Sequence, residues 1–234
     1  MSLVNVLLLA ALAISLLALV ALRRGALRAR RDLSSLRATT SELRHLADHD
    51  ALTGLPNRRR FEEELARHLA HVRRYGPEGA VLVLDLDCFK PVNDTFGHAA
   101  GDRLLVRVAS VLRQRLRATD VVARLGGDEF AVLLPRVDRA GAAAVASSLV
   151  ETVRAEAPTA DASAVTASVG ALAFDAETLA SAPASVLAAA DLAMYDAKAA
   201  GGDGWALYAE ARVTAAPHTR ARAAAGHLPA VAVT

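Results

Sequence analysis

Arg124-Leu125-Gly126-Gly127-Asp128-Glu129-Phe130 sets two glycines directly before two carboxylates, between two apolar runs. Val121, Val122 and Ala123 lead in, and Ala131, Val132, Leu133 and Leu134 follow. Paired glycines between strand-like runs predict a hairpin, because tight hairpin turns need positive φ at their central positions. A turn without side chains also admits close approach of a ligand to the backbone. Acids beside such a turn are poor packing but suited to holding a cation. On residue chemistry alone the segment is a candidate metal or phosphate site, and a solvated acidic hairpin is the reading favoured if it stood by itself.

The rest of the chain bounds what that hairpin belongs to. A length of 234 residues allows one sizeable domain with appendages. The hydrophobic share of 53% exceeds the usual 45–50%, through a very apolar N-terminus and heavy alanine use. A formal charge of +2 argues against a nucleic-acid partner, since five arginines of the total cluster within residues 23–31. Cys88 is the one cysteine, so no intramolecular disulfide and no cysteine metal cluster can form.

Residues 3–22 carry only Asn5 and Ser15 as polar side chains. Twenty helical residues span roughly 30 Å, the thickness of a bilayer's hydrocarbon core. Arg23, Arg24, Arg28, Arg30 and Arg31 follow at once, and the positive-inside rule keeps them cytoplasmic. A cleaved signal peptide would carry its charge before the apolar run, so the expectation is a single-pass inner-membrane anchor over residues 1–22 with everything after it cytoplasmic. Residues 23–49 form a basic juxtamembrane segment and linker helix. Leu33, Leu36, Thr40, Leu43 and Ala47 occupy a/d spacing that suits a short coiled coil with a second copy, or else one apolar stripe on a solvated helix.

Residues 50–208 read as a single α/β (α+β) domain. Helices are expected at 61–74, 101–116, 138–154 and 183–199, with strands at 80–86, either side of the paired glycines, at 164–174 and at 205–208. The run at 80–86 is continuously apolar, as in a strand buried on both faces. Alternating elements around one hairpin predict a mixed sheet flanked by helices. Residues 209–234, alanine-rich with Pro217 and Pro229, are expected to be disordered.

Asp85 and Asp87 close the first strand two residues apart, so both carboxylates share one face. Like charges so close favour a cation between them, and Mg2+ takes one or two carboxylates plus phosphate oxygens. If central strands neighbour each other, Asp128 joins Asp85. Between them, Lys90 offers a point charge for phosphate, and Asn93 and Asp102 offer groups suited to a base edge. No Walker-type loop is present. His98 lies in the same stretch and suits a local cap or packing role as well as a ligand.

These segments together resemble the GGDEF family of diguanylate cyclases from Asp48 to Tyr208. The landmarks, in order, are Asp50-Ala51-Leu52-Thr53-Gly54-Leu55-Pro56-Asn57-Arg58-Arg59, Asp85-Leu86-Asp87-Cys88-Phe89-Lys90 with Asn93-Asp94, and Phe96-Gly97-His98 with Gly101-Asp102. Gly126-Gly127-Asp128-Glu129-Phe130, Ser168-Val169-Gly170 and Ala190-Asp191-Leu192-Ala193-Met194-Tyr195 with Ala197-Lys198 complete the set. The resemblance implies a nucleotidyl-cyclase-like fold and condensation of two GTP into cyclic di-GMP and two pyrophosphates. It implies Mg2+ or Mn2+, two per site, on Asp85, the Leu86 carbonyl and Asp128. Asp128 would accept the proton, with Glu129 at the second metal. Lys90, Asn93, His98, Asp102, Lys198, Gly126 and Gly127 would form the substrate site, with Asn93 and Asp102 on guanine and both lysines on phosphates. Each site holds one GTP, so a homodimer is implied, and Arg117 with Asp120 matches the site where cyclic di-GMP inhibits.

One departure stands out. After Lys198 the family usually carries Gly-Arg-Asn, with the arginine on the terminal phosphates. Here Gly201 is followed by Gly202, Asp203 and Gly204, so a cation is lost and an acid gained, and weaker GTP binding is expected. The alternative from another class is a degenerate receptor that binds GTP or cyclic di-GMP and signals by contact.

Overall fold

The computed structural model describes residue 23, residues 47–156 and residues 165–208. Among the described residues, the helices α1 (Arg58–Tyr75), α2 (Phe89–Phe96), α3 (His98–Arg115), α4 (Arg139–Glu156) and α5 (Pro183–Ala199) flank five strands. The strands are β1 (Ala80–Asp87), β2 (Val121–Gly126), β3 (Glu129–Leu134), β4 (Thr166–Ala173) and β5 (Gly204–Leu207). A short 3-10 turn spans Thr178–Ala180. The expected anchor at 3–22, the seam residues Leu33, Leu36, Thr40 and Leu43, and the tail at 209–234 lie outside the described residues. Among the described residues, no helix is long and apolar enough to cross a membrane.

The sheet runs β2-β3-β1-β4-β5, antiparallel except for the β4–β5 pair, so the expected mixed sheet is present. β1 is its centre and is buried on both faces. Leu82, Leu84 and Leu86 point into a core with Leu105, Val108 and Leu112 of α3 and Leu149 and Val153 of α4. Val81 and Val83 point the other way, into a second core with Phe61, Leu65 and Leu69 of α1 and Leu187 and Met194 of α5. Burying each such leucine contributes about 1.5–3 kcal/mol, and the period of two divides that gain between the layers.

Two features of sequence acquire structural reasons. Asn57 caps α1 by accepting the Arg60 amide at 3.0 Å, which starts that helix at Arg58 rather than at 61. Gly170 sits where any Cβ would run into the Ala190 carbonyl and the Met194 amide. Its missing side chain lets α5 lie against β4, and α5 carries Lys198 at its end.

Residues 89–96, to which the sequence pattern assigns no element, form α2, and α3 starts at His98 rather than at 101. The two helices meet at Gly97, whose φ of 79° suits glycine. Asn93 and His98 break the apolar period that locates helices, which is why their helical state escaped the pattern.

Candidate active site

β1 ends in the open at the centre of the sheet, and everything of chemical interest gathers there. A groove of about 530 Å³ is lined by residues 85–91, Asp128, Lys198, Gly201 and Gly202. Four expected side chains therefore meet: Asp85, Lys90, Asp128 and Lys198. Leu86 is 2% exposed with its side chain in the core, so it presents only backbone to the groove.

The hairpin delivers Asp128. β1 and β3 pair with Asp85 opposite Glu129, and the Leu86 amide donates to the Asp128 carbonyl at 3.4 Å. Gly126 and Gly127 make the turn with φ of 143° and 57°, as the paired glycines predicted, over a bulge between Arg124 and Gly126. The turn is held from outside. Arg124 donates to the Gly127 carbonyl through Nε at 2.9 Å and Nη2 at 2.7 Å. Its Nη1 reaches both Asp50 carboxylate oxygens at 3.1 and 3.0 Å. Burial acts to raise the Asp50 pKa, but two hydrogen bonds from Thr53 and the Arg124 charge outweigh it and hold the carboxyl below its ordinary value. Arg58 grips the other flank, donating to the Leu125 carbonyl and pairing with Glu129 at 3.3 Å each.

Asp85 is the strained member. It is buried, and its carboxyl is pushed up by that burial; the Asp128 and Glu129 charges push the same way, while Lys198 opposes them. Lys198 donates to Asp85 Oδ1 at 2.6 Å, so the expected phosphate lysine rests here on the expected metal ligand. Asp87 takes a different part. It accepts from Thr166 Oγ1 at 2.8 Å, Ser168 Oγ at 2.7 Å and the Asp203 amide at 2.9 Å. Three neutral donors occupy it, and it ties β1 to β4 and to the turn after α5.

The other expected residues lie around this groove. Asn93 packs over Gly101, where a Cβ would collide with its side chain, and Asp102 is exposed one position on. That brings the two base-edge candidates to the α2–α3 junction next to Lys90. His98 is exposed at the start of α3. Glu129 lines a second recess of about 310 Å³ with Arg58, Val83, Leu125, Leu187 and Asp191. It is thus paired to α1 instead of opening into the groove. Asp120 accepts the Arg117 amide at 2.9 Å and closes its own turn, with the Arg117 side chain exposed beside it.

The donor set for a cation is hard oxygen throughout, and two buried or half-buried carboxylates converge beside the Leu86 backbone. Among the described residues, no three His, Cys, Asp or Glu side chains gather tightly enough to hold an ion alone. Mg2+ keeps several waters and takes substrate phosphates, so Asp85, Asp128 and the Leu86 backbone fit it in company with a nucleotide.

Residues 47–204 match the family described as "Diguanylate cyclase, GGDEF domain". The chain belongs to the GGDEF family. It is 44% identical over 166 residues to the diguanylate cyclase TpbB of Pseudomonas aeruginosa, covering 70% of this chain and 38% of that protein. The match spans well under half the length of that relative. The coiled coil and GGDEF domain of DgcB from Caulobacter crescentus, solved in complex with c-di-GMP, superposes with a TM-score of 0.73 at 30% identity, covering 80% of this chain and 98% of that one. SiaD of Pseudomonas aeruginosa, solved with its activator SiaC, gives 0.64 at 36% identity, covering 80% and 71%.

Within the GGDEF frame, the residues that position the hairpin, Asp50, Arg58 and Arg124, were not assigned roles from sequence. A signal existed for one of them: Asp50 with Thr53 is the spacing of a side-chain-capped turn. Nothing local foretells the reach of Arg124 back to Asp50 across 74 positions.

Proposed function

We propose that this chain is a membrane-anchored diguanylate cyclase that condenses two GTP into cyclic di-GMP and releases two pyrophosphates. The observation that carries the reading is the meeting of Asp85, Asp128, Lys90 and Lys198 around the Leu86 backbone, in one groove beside Asn93 and Asp102. Carboxylates with no cation would repel each other, and lysines with no anion would have little to hold. Together they suit a metal-bridged nucleotide.

In each half-reaction the 3′-oxygen of one GTP forms a bond to the α-phosphorus of the other. The α–β phosphoanhydride bond breaks, and the electron pair leaves with pyrophosphate. Asp128 accepts the hydroxyl proton, and Glu129 orders the turn from behind through Arg58. Lys90 and Lys198 hold phosphate oxygens, Lys198 leaving Asp85 to do so. Asn93 and Asp102 read the guanine edge, and His98 and the Gly126-Gly127 backbone border the substrate. Mg2+ or Mn2+ on Asp85, Asp128 and the Leu86 carbonyl would lower the pKa of the attacking hydroxyl and offset charge on the phosphoryl group.

Two such sites must face each other, so the active form is a homodimer, and the spacing of Leu33 to Ala47 suits a coil that raises the effective concentration of one domain at the other. Arg117 and Asp120 form a product-inhibition site for cyclic di-GMP. The apolar run at 3–22 and the arginines after it support an inner-membrane anchor with the domain in the cytoplasm.

Incubating the purified full-length chain with GTP and Mg2+ tests the reading. Cyclic di-GMP and pyrophosphate are expected, and Asp128→Asn should abolish both. Binding of GTP without product at any protein concentration would sink catalysis in favour of the receptor.

A further inference from the structure

The turn after α5 carries the departure noted in the sequence, and its geometry shows where the added acid goes. Gly201 and Gly202 line the groove, but Asp203 does not. Its carboxylate is turned onto α4. Arg154 Nε lies 3.0 Å from each Asp203 carboxylate oxygen, and Nη2 reaches the Asp203 carbonyl at 3.3 Å. One guanidinium thus holds both side chain and backbone of the same residue. The Asp203 amide meanwhile donates to Asp87 on the groove floor, and Asp203 sits at a φ of 51°.

The groove already contains Asp85, Asp87 and Asp128 against Lys90 and Lys198. A fourth carboxylate at its lip would oppose a polyphosphate. Gly201 and Gly202 put no side chain in the way of one, and Gly201 has open space where a Cβ would project. We propose that Arg154 is a positioning residue for substrate binding: it draws the Asp203 carboxylate out of the groove and keeps this arginine-free turn compatible with a triphosphate. The inference rests on the GTP reading above.

The test is binding of 3′-deoxy-GTP, which lacks the attacking hydroxyl, to the full-length chain with Mg2+ by calorimetry, alongside 3′-deoxyguanosine, which lacks the phosphates. Arg154→Ala should weaken 3′-deoxy-GTP about three- to tenfold, the scale of one added charge acting through solvent at under roughly 10 Å. The nucleoside should bind unchanged. Arg154→Ala with Asp203→Asn should return to within about twofold of wild type, because the offending charge is gone. Arg154→Lys should fall between, since an ammonium keeps the charge without the fork.

If the wild type fails to bind 3′-deoxy-GTP, the GTP reading itself falls and takes this one with it. If the wild type binds and Arg154→Ala binds equally, the positioning role is wrong. Equal losses for nucleotide and nucleoside, or no rescue by Asp203→Asn, would also overturn it and leave Arg154 as a mere brace between α4 and the turn.

Discussion

Replacing Arg124 by alanine should damage both the stability of the domain and the chemistry, by separable routes. The guanidinium is 12% exposed and Asp50 22% exposed at their side chains, so the pair is neither fully buried nor freely solvated. Two hydrogen bonds to the Gly127 carbonyl and two contacts to the Asp50 carboxylate disappear together. Charge-assisted hydrogen bonds contribute about 1.5–3 kcal/mol, and stripping one partner from a buried pair costs about 3–5 kcal/mol. Partial exposure and solvent screening argue for the lower part of that range, about 2–4 kcal/mol. For a domain of this size each kcal/mol moves the melting temperature by about 2–4 °C, so a fall of roughly 5–15 °C is expected.

The functional loss follows from where the bonds end. Gly127 precedes Asp128, and a 1 Å misplacement of a reacting group can cost about 100-fold in rate. Arg124→Ala should therefore lose at least that much cyclic di-GMP formation at a temperature where it remains folded. Asp50→Asn breaks the charge pair but leaves the guanidinium on the Gly127 carbonyl. It should lose stability with a much smaller loss of rate. Melting followed by circular dichroism and product formation at 20 °C would separate the two. An Arg124→Ala chain that melts within 1 °C of wild type, or turns over within twofold of it, would refute the role given to this network.

Two further outcomes follow from neighbouring geometry. Gly101→Ala drives a Cβ into the Asn93 side chain while favouring the helix that contains it; KM for GTP should rise up to about tenfold with kcat less affected and the fold intact, and an unchanged KM would detach Asn93 from guanine. The Asp50 carboxyl is held below its usual 3.8 in the folded chain, so its contribution is complete above that pH and is lost as pH falls through the lowered folded value. The gap in urea midpoint between wild type and Asp50→Asn should accordingly stay constant from pH 7 to 5 and narrow below pH 3.8, whereas a gap that persists at lower pH would contradict the sign.

What the chain discloses before folding is governed by distance along it. The buried run at 80–86, the hairpin of Gly126 and Gly127 and the helix at 183–199 each rest on local pattern, and each appears where local pattern puts it. The convergence of Asp85 with Asp128 also follows, once the hairpin strand is paired with β1. Hidden from the pattern were contacts whose partners lie far apart: Asp50 with Arg124, Arg58 with Glu129, and Arg154 with Asp203. Such pairs leave no periodicity, because a guanidinium chooses its carboxylate by the register of elements that sequence spacing does not report. α2 escaped for a second reason. Its eight residues bury only Val92, so the apolar spacing that betrays a helix is missing.

The acids on β1 show how neighbours decide what a carboxylate can do. Asp85 and Asp87 share a face, and by residue type alone either could hold a cation. Asp87 faces two hydroxyls of β4 and a backbone amide, all neutral donors that stabilise its charge without competing cations. Its oxygens are spent on tying three elements together. Asp85 instead faces Asp128 and Glu129, which raise its pKa after burial has done so, and a single lysine that moderates them. A carboxylate crowded by others and buried beside the sheet's end has most to gain from a divalent ion, which relieves the repulsion that folding imposed and can in turn carry a polyphosphate. The fold therefore gives Asp87 the architectural task and leaves Asp85, its side chain held among the described residues by Lys198 alone, as the carboxylate with the greater need of a cation.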